Sequence, residues 1–277
     1  MSVLQAIVLG LTQGVTEFAP VSSSGHLILV PWLFGWGLDD PSLAKTFDVA
    51  LHLGTLLGAV AYFRADLARY LAAFVRSLRD RRIAGTDARV AWALVVGTIP
   101  GAVVGATLET VIEDRLGAPW LIAVMLVVFG VVLVVVDRRS RADRGIDDVT
   151  IGRGLLLGLA QALALQPGVS RSGITITAAR AMGLDRPTAA RVSFLLALPI
   201  IAGAGLFKGV EVAAQGIPSD LVAPFAAGML ASALSGFAVI WFLLGYLRRH
   251  AFTAFLAYRI GVAVVVVAAI AAGRPAV

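Results

Sequence analysis

Long apolar segments separated by short polar or charged stretches make up most of the chain. Six of them are long enough to cross a bilayer, which takes about 20 helical residues. These predicted transmembrane helices lie at 46–64, 88–108, 119–137, 191–207, 222–247 and 252–272. Two other apolar segments, 2–36 and 151–183, are interrupted near Pro20 and near Pro167 and Gly168. Because backbone at such a break must be covered by protein or line a polar cavity, we interpret both as re-entrant helical hairpins.

The two interrupted segments are copies of one sequence. Residues 9–25 read LGLTQGVTEFAPVSSSG and residues 157–173 read LGLAQALALQPGVSRSG, a constant offset of 148 with eight identities in seventeen positions. Each copy precedes three predicted spans, and an odd number of spans inverts the second copy. We therefore expect an all-α integral membrane protein with one membrane domain, 1–277, containing an inverted-topology repeat of 1–140 and 150–277 whose tips meet near the midplane.

The composition favours a membrane protein and excludes several kinds of partner and site. The chain is 59% hydrophobic and 14% charged, with a mean hydropathy of +0.90, which excludes an ordinary soluble domain. Its net charge is +6, but the arginines lie mainly between apolar segments, so we expect membrane lipids and no nucleic acid as partners. The absence of Cys excludes disulfides, thiol nucleophiles and Cys-ligated metals. The first apolar segment lacks a basic leading region, so we do not expect a cleaved signal peptide.

Loop charges predict the orientation in the membrane. Basic loops should face the cytoplasm; these are 64–89 with net charge +4, 180–191 with +2, and the turn at Arg248 and Arg249. Acidic segments should face the opposite side; these are 35–48 and 109–118 with −2 each, and 208–220 with −1. The first hairpin would then enter from outside and the second from the cytoplasm. Segment 67–82 suits either an interfacial amphipathic helix or a plain connecting helix.

The first tip combines an intramembrane acid with a polar turn. Gln13 and Glu17 are four residues apart and share one helix face. A carboxylate in an apolar stretch is costly unless it is paired or metal-bound, so Glu17 is a functional candidate, with pairing to a buried arginine as the alternative. The turn PVSSSGH at 20–26 offers three hydroxyls, an imidazole and the free N–H groups of a new helix. Such a turn binds anions, although its serines could simply cap the helix.

The second tip, PGVSRSGIT at 167–175, carries a permanent positive charge. Arg171 stands where the first copy has Ser23, and a guanidinium can hold phosphate through two donors. Together the tips provide an acid, an imidazole, a guanidinium and several hydroxyls, which favours phosphate chemistry within a membrane. Asp48 and His52 form another pair with four-residue spacing, which we interpret as an interfacial ion pair and a packed histidine, with metal binding by Asp48 as the alternative.

The motifs QGVTEFAPVSSSGH at 13–26 and PGVSRSGIT at 167–175 closely resemble those of the undecaprenyl-diphosphate phosphatases of the bacterial cell-wall lipid cycle. KTFDVALHLG at 45–54 and PTAARVSFLLALP at 187–199 extend the resemblance over nearly the whole chain. It implies hydrolysis of undecaprenyl diphosphate to undecaprenyl phosphate and inorganic phosphate, at the extracytoplasmic side of the bacterial inner membrane. It also implies dependence on a divalent cation and bacitracin resistance. This chain carries the Gln variant of the acidic pair, since Gln13 precedes Glu17.

From the motifs and the resemblance we predict three groups of site residues. The predicted catalytic residues are Glu17, Ser23, His26 and Arg171. The predicted substrate-binding residues are Ser22, Ser170, Ser172, Gly173 and Thr175. Glu17 and Gln13 are the predicted ligands of Mg²⁺ or Ca²⁺, hard cations that prefer oxygen. Ser23, His26 and water stay open as nucleophile, and the substrate is a polyprenyl diphosphate in the bilayer.

Other functions and arrangements stay open at this stage. Inverted repeats are transporter architecture, so a lipid-carrier transporter or flippase, alone or combined with hydrolysis, is the alternative. An ion channel fits less well, because the polar groups concentrate at two tips. Small residues spaced by four, Gly97, Gly101 and Gly105, could pack helices within the protomer or across a homodimer.

Overall fold

The backbone is helical through almost the whole chain. The structure, a computed structural model, describes residues 1–36 and 40–276, except for the side chains at 109–115, 208 and 210–215. Parts of the acidic segments 35–48, 109–118 and 208–220 therefore lie outside the described residues. The α-helices of the described part are α1 (Val3–Phe18), α2 (Ser23–Phe34), α3 (Pro41–Arg79), α4 (Gly85–Leu116), α5 (Pro119–Arg139), α6 (Ile151–Ala162), α7 (Arg171–Ala181), α8 (Arg186–Gln215), α9 (Ser219–Tyr246) and α10 (Thr253–Ala271).

Six of these helices are long and apolar enough to cross a membrane within the described residues: α3, α4, α5, α8, α9 and α10. Each overlaps one predicted span, so the prediction of a six-span integral membrane protein is confirmed. Many of their large apolar side chains are exposed, such as Trp241 and Val264, as expected where lipid replaces water. Helix α3 continues to Arg79, so segment 67–82 extends a span and does not form a separate helix.

The described part also contains two pairs of short helices, one before α3 and one between α5 and α8. Helices α1 and α2 have 16 and 12 residues, and α6 and α7 have 12 and 11, so each is shorter than a single membrane span requires. The first pair breaks at residues 19–22, where Ala19 is extended. The second pair is joined by a short 3-10 turn at Leu163–Leu165 followed by Pro167 and Gly168. The breaks therefore fall at the predicted Pro and Gly positions.

The first short helix of each pair packs tightly on a long helix from the other half of the chain. Helix α1 lies against α9, and α6 lies against α4. At equivalent repeat positions, a Cβ on Gly10 would lie 2.2 Å from the Gly228 carbonyl oxygen, and one on Gly158 would lie 2.2 Å from that of Gly97. Only glycine permits these backbone approaches. Gly97 thus packs a helix within the protomer, and a homodimer stays a prediction.

A buried ion-pair cluster fixes the end of α7 that lies away from its tip. Asp137, near the end of α5, accepts hydrogen bonds from Arg180 Nε at 2.7 Å and from Arg186 Nη2 at 2.8 Å. The Asp137 and Arg180 side chains are only 1% and 2% exposed. Because Arg180 belongs to α7 and Arg186 begins α8, the cluster joins three helices at one point.

Candidate active site

Both tips start their second helix from a serine in a left-handed backbone conformation. Ser22 and Ser170, which are equivalent in the repeat, each have φ 75°, with ψ 94° and 116°. Each hydroxyl oxygen accepts a hydrogen bond from the backbone N–H three residues later, Gly25 at 3.3 Å and Gly173 at 3.1 Å. Positive φ is unfavourable for a residue with a side chain and tends to persist at functional sites. The two copies therefore build the same strained turn.

The two tips are in direct contact through serine hydroxyls. Ser22 Oγ accepts a 3.0 Å hydrogen bond from the backbone N–H of Gly168. In the other direction, Ser172 Oγ donates a 3.0 Å hydrogen bond to the carbonyl oxygen of Ala19. Both serines are at most 4% exposed. The predicted meeting of the tips thus has a specific cause, since each turn binds backbone of the other.

Helix α10 holds both tips through Arg259, a residue that the sequence analysis missed. Arg259 of α10 is fully buried, and its guanidinium donates to three backbone carbonyl oxygens. These are Pro20 in the first tip at 2.7 Å, Val169 in the second tip at 3.4 Å, and Leu126 of α5 at 3.2 Å. The available signal was a single charged residue inside an otherwise apolar span.

Three predicted site residues converge on the Glu17 carboxylate, whose side chain is 1% exposed. Its Oε1 accepts a hydrogen bond from Arg171 Nη2, on the second tip. Its Oε2 accepts from Ser23 Oγ at 2.6 Å and from Gln13 Nε2 at 2.9 Å. An ionised carboxylate only accepts, so the hydroxyl and amide protons must point toward Glu17. The charge of Glu17 is thus compensated within a buried site.

The imidazole closest to this carboxylate is that of His52, on α3. His52 Nε2 lies 3.5 Å from Glu17 Oε2, while Nδ1 lies 2.8 Å from the backbone carbonyl oxygen of Asp48. Because a carbonyl oxygen only accepts, Nδ1 carries a proton, and Nε2 is the nitrogen that faces the acid. The side chain is 29% exposed and borders a cavity. His52 thus lies beside Glu17 and the cavity, a contact that the sequence analysis did not predict.

His26, the predicted catalytic imidazole, has different partners. Its Nδ1 lies 2.7 Å from the Ser22 carbonyl oxygen, and its Nε2 lies 2.9 Å from the Tyr258 hydroxyl. By the same reasoning Nδ1 donates and Nε2 accepts from Tyr258, whose ring stacks on the imidazole. Among the described residues, no hydrogen bond or ion pair joins His26 to Glu17, Ser23 or Arg171. The structure thus connects His26 to the first turn and to α10, through a tyrosine that the sequence analysis also missed.

A cavity of about 210 Å³ opens beside the Glu17 cluster. It is lined by Ser23, Ser24, His52, Gly101, Gln161, Ala164, Leu165, Arg171 and Ile200. The five predicted substrate-binding residues are not among these, and the structure instead gives each one a hydrogen-bond partner in or next to the tips. For example, Thr175, which is fully buried, donates to the Arg171 carbonyl oxygen at 2.7 Å. Their contact with substrate stays a prediction.

Comparison with known proteins matches nearly the whole chain to one family. The family described as bacitracin resistance protein BacA matches residues 6–265. The chain belongs to the BacA family. Among its relatives, the undecaprenyl-diphosphatase of Pelotomaculum thermopropionicum is 48% identical over 272 residues, 97% of this chain and 98% of the relative. The undecaprenyl-diphosphatase of Geobacter sulfurreducens is 47% identical over 261 residues, 94% of this chain and 95% of the relative. The resemblance inferred from the two motifs is thereby confirmed.

In this BacA-family chain, the predicted metal ligands have suitable chemistry but form a small set. Among the described residues, no group of three or more His, Cys, Asp or Glu side chains is placed to hold a metal ion. Gln13 turns its Nε2 toward Glu17, and its Oε1 is buried without a hydrogen-bond partner in the described protein. A carboxylate beside an unused amide oxygen fits a hard cation. The remaining ligands would have to be phosphate oxygens or water.

Proposed function

We propose that this BacA-family chain hydrolyses undecaprenyl diphosphate to undecaprenyl phosphate and inorganic phosphate, so that it recycles the cell-wall lipid carrier and confers bacitracin resistance. The observation that carries the proposal is the buried cluster of Ser23, Glu17 and Arg171. It joins a hydroxyl, a carboxylate and a guanidinium from both tips at one cavity. The relatives named undecaprenyl-diphosphatase, matched over nearly the full chain, supply the substrate.

Ser23 is the proposed nucleophile and Glu17 its general base. The hydroxyl already donates a 2.6 Å hydrogen bond to Glu17 Oε2, which is the geometry for proton transfer as the oxygen attacks. Ser23 Oγ forms a bond to the terminal phosphorus while the bond from that phosphorus to the bridging oxygen breaks. The Ser23 proton passes to Glu17, and prenyl phosphate leaves. Water then attacks the phosphoserine phosphorus, the bond from phosphorus to Ser23 Oγ breaks, Oγ takes back the proton from Glu17, and inorganic phosphate is released.

Arg171 is the proposed ligand of the terminal phosphate. Its guanidinium has five N–H donors in a planar fork, and a single Nη2 contact to Glu17 leaves others for phosphate oxygens. The side chain is 18% exposed and borders the cavity. Fixed positive charge close to the transferred group is the main protein contribution to phosphoryl transfer.

Glu17 and Gln13 would hold a divalent cation, Mg²⁺ or Ca²⁺, through their oxygens. Such an ion supplies neutralisation of charge on the diphosphate oxygens. His26 serves the proposed reaction by holding the Ser22 carbonyl and thereby the turn that carries Ser23. Chelation with EDTA should lower activity, and a Glu17→Gln variant should bind the cation more weakly in calorimetry.

The two short-helix pairs are the proposed re-entrant hairpins of an inverted repeat. Support comes from the exchanged packing of α1 on α9 and of α6 on α4 and from the shared turn geometry at Ser22 and Ser170. With the basic loops in the cytoplasm, the chain lies in the bacterial inner membrane and its site opens to the extracytoplasmic side. The polyprenyl tail stays in lipid while the diphosphate reaches the tips.

Phosphate release by purified protein separates this function from transport. In detergent, without any gradient, the wild-type chain should release phosphate from undecaprenyl diphosphate. Arg171→Ala and Glu17→Ala should release essentially none while keeping a normal elution profile. If the protein were only a lipid-carrier transporter, the wild-type chain would release no phosphate. Near-normal turnover by Arg171→Ala would refute the proposed site.

A further inference from the structure

Gln161 is a buried polar side chain at the cavity to which the reaction above gives no role. It is the repeat equivalent of Gln13, at the constant offset of 148. Gln13 uses its amide to hold Glu17, four residues later. In the second copy, the residue four positions after Gln161 is Leu165. The second copy therefore keeps the amide and has no carboxylate for it to hold.

The environment of Gln161 does not satisfy its amide. The residue is 3% exposed, yet neither its Nε2 nor its Oε1 has a hydrogen-bond partner within the described protein. A buried amide without partners is unfavourable. Since Gln161 lines the same cavity as Ser23 and Arg171, a ligand in that cavity would lie next to an amide that has unused donors and an unused acceptor.

A residue without a side chain adjoins the Gln161 amide. A Cβ on Gly101 of α4 would lie 3.4 Å from Gln161 Nε2 and 2.8 Å from Ile200 Cδ1. The absence of a side chain at Gly101 thus keeps space beside the amide. The cavity is also lined by Ala164, Leu165 and Ile200, an apolar surface that suits a hydrocarbon chain.

The cavity therefore has polar groups of two kinds. Ser23 and Arg171 are joined through Glu17 and act on the terminal phosphate in the proposed function. Gln161 is neutral, lies among apolar residues and offers two N–H donors to oxygen. A substrate that has a charged terminal phosphate at one end and a hydrocarbon chain at the other places its second phosphate between these environments.

We propose that Gln161 binds the prenyl-side phosphate of the diphosphate substrate through Nε2. The assignment rests on the proposed function, because it names the group that holds the leaving half of the same substrate. Gln161 thereby becomes a binding residue that fixes the leaving phosphate while Arg171 fixes the transferred one.

Product inhibition of purified protein distinguishes the two phosphate sites. Inorganic phosphate is the terminal product, whereas farnesyl monophosphate retains the prenyl-side phosphate. Gln161→Leu should weaken inhibition by farnesyl monophosphate about tenfold or more, the value of one hydrogen bond to a charged group, and should raise KM for farnesyl diphosphate. Inhibition by inorganic phosphate should change by less than about twofold.

Two further variants make the result specific. Gln5→Leu makes the same substitution at a residue of α1 outside the cavity lining, where Gln5 forms a capping box with Ser2. This variant should have the turnover of wild type and should be inhibited by both products as wild type is. Gly101→Ala should shift inhibition in the same direction as Gln161→Leu, because the added methyl group would lie 3.4 Å from Gln161 Nε2 and occupy space beside it, and only the flexible end of Ile200 must move. This variant carries the test if Gln161→Leu does not fold.

The outcomes separate this inference from the function on which it rests. If the wild-type chain releases no phosphate from prenyl diphosphates, the proposed function fails. If the wild type is active and Gln161→Leu keeps wild-type inhibition by farnesyl monophosphate, the assignment of Gln161 fails alone. It also fails if inhibition by inorganic phosphate weakens instead.

Discussion

Arg259 Nε donates a 2.7 Å hydrogen bond to the carbonyl oxygen of Pro20, 239 residues earlier in the chain. The same guanidinium reaches the Val169 carbonyl oxygen in the second tip. Backbone at a helix break loses its intrahelical partners, and within a membrane each unsatisfied carbonyl is costly. Arg259 therefore supplies the hydrogen bonds that water supplies at a loop of a soluble protein, and it joins the turn before Ser23 to the turn before Arg171.

Replacing Arg259 with Leu should destabilise the protein by about 3 kcal/mol or more, because it leaves three buried carbonyl oxygens without this donor, at about 1 to 3 kcal/mol for each unsatisfied group. Thermal unfolding in detergent should show a clear fall in Tm, together with loss of phosphate release. Arg274→Leu is the matched control, because Arg274 also donates to a carbonyl oxygen, that of Leu33, but at an exposed site. An Arg259→Leu protein with the Tm and turnover of Arg274→Leu would show that the tips hold together without this residue.

The sequence was sufficient for the spans and for the positions of the breaks. Bilayer thickness imposes a minimum length on an apolar helix, so the hydropathy pattern alone predicts six spans that the structure confirms. Breaks at Pro20 and at Pro167 and Gly168 follow from residues that interrupt helical hydrogen bonding. Glu17, Ser23 and Arg171 were predicted because intramembrane polar groups are rare enough to stand out.

The contacts that complete the site could not be read from the sequence. Tyr258 meets His26 across 232 residues, and Gln161 reaches the cavity only because α6 packs on α4. Four-residue spacing tells which face of its own helix a side chain occupies, and it does not tell what that face meets. For this reason the sequence analysis predicted His26 as the catalytic imidazole and did not predict that the fold brings His52 to Glu17.

Ser23→Ala should lower phosphate release at least about a hundredfold, because water would have to replace the positioned Ser23 hydroxyl as the nucleophile. Brief incubation of wild type with diphosphate labelled in its terminal phosphate, followed by a denaturing quench at neutral pH that also preserves phosphohistidine, should place the label on Ser23. Ser235→Ala removes a hydroxyl that donates to the Ala231 carbonyl oxygen of its own helix, and this variant should be active and labelled. Label on His26, or full activity of Ser23→Ala, would contradict serine attack.

His52 and His26 should differ in what their loss affects. His52→Gln should lower kcat at least about tenfold with Tm unchanged, because His52 Nε2 faces Glu17 and can take up the proton that Glu17 receives. His26→Gln should lower both Tm and kcat, since the buried imidazole holds the Ser22 carbonyl oxygen and the Tyr258 hydroxyl. His250→Gln should change neither, because His250 is exposed and contacts Tyr246 of α9. Equal kcat and Tm effects at His52 and His26 would refute this division.

Asp137→Ala should lower the stability of the protein without changing the rate of phosphate release. Asp137 pairs with Arg180 and Arg186 at side chains that are largely buried, so its removal leaves Arg180 buried without its carboxylate, at a cost of about 3 to 5 kcal/mol. Asp87→Ala breaks the ion pair of Asp87 with Arg69, where both side chains are more than a third exposed, and it should cost at most about 1 kcal/mol. Thermal unfolding in detergent should therefore separate the two variants by several degrees, while phosphate release at low temperature stays close to wild type for both. A large fall in kcat for folded Asp137→Ala would contradict this prediction. It would mean that the end of α7 controls the position of Arg171, so that the ion-pair cluster supports the active site as well as the helix packing.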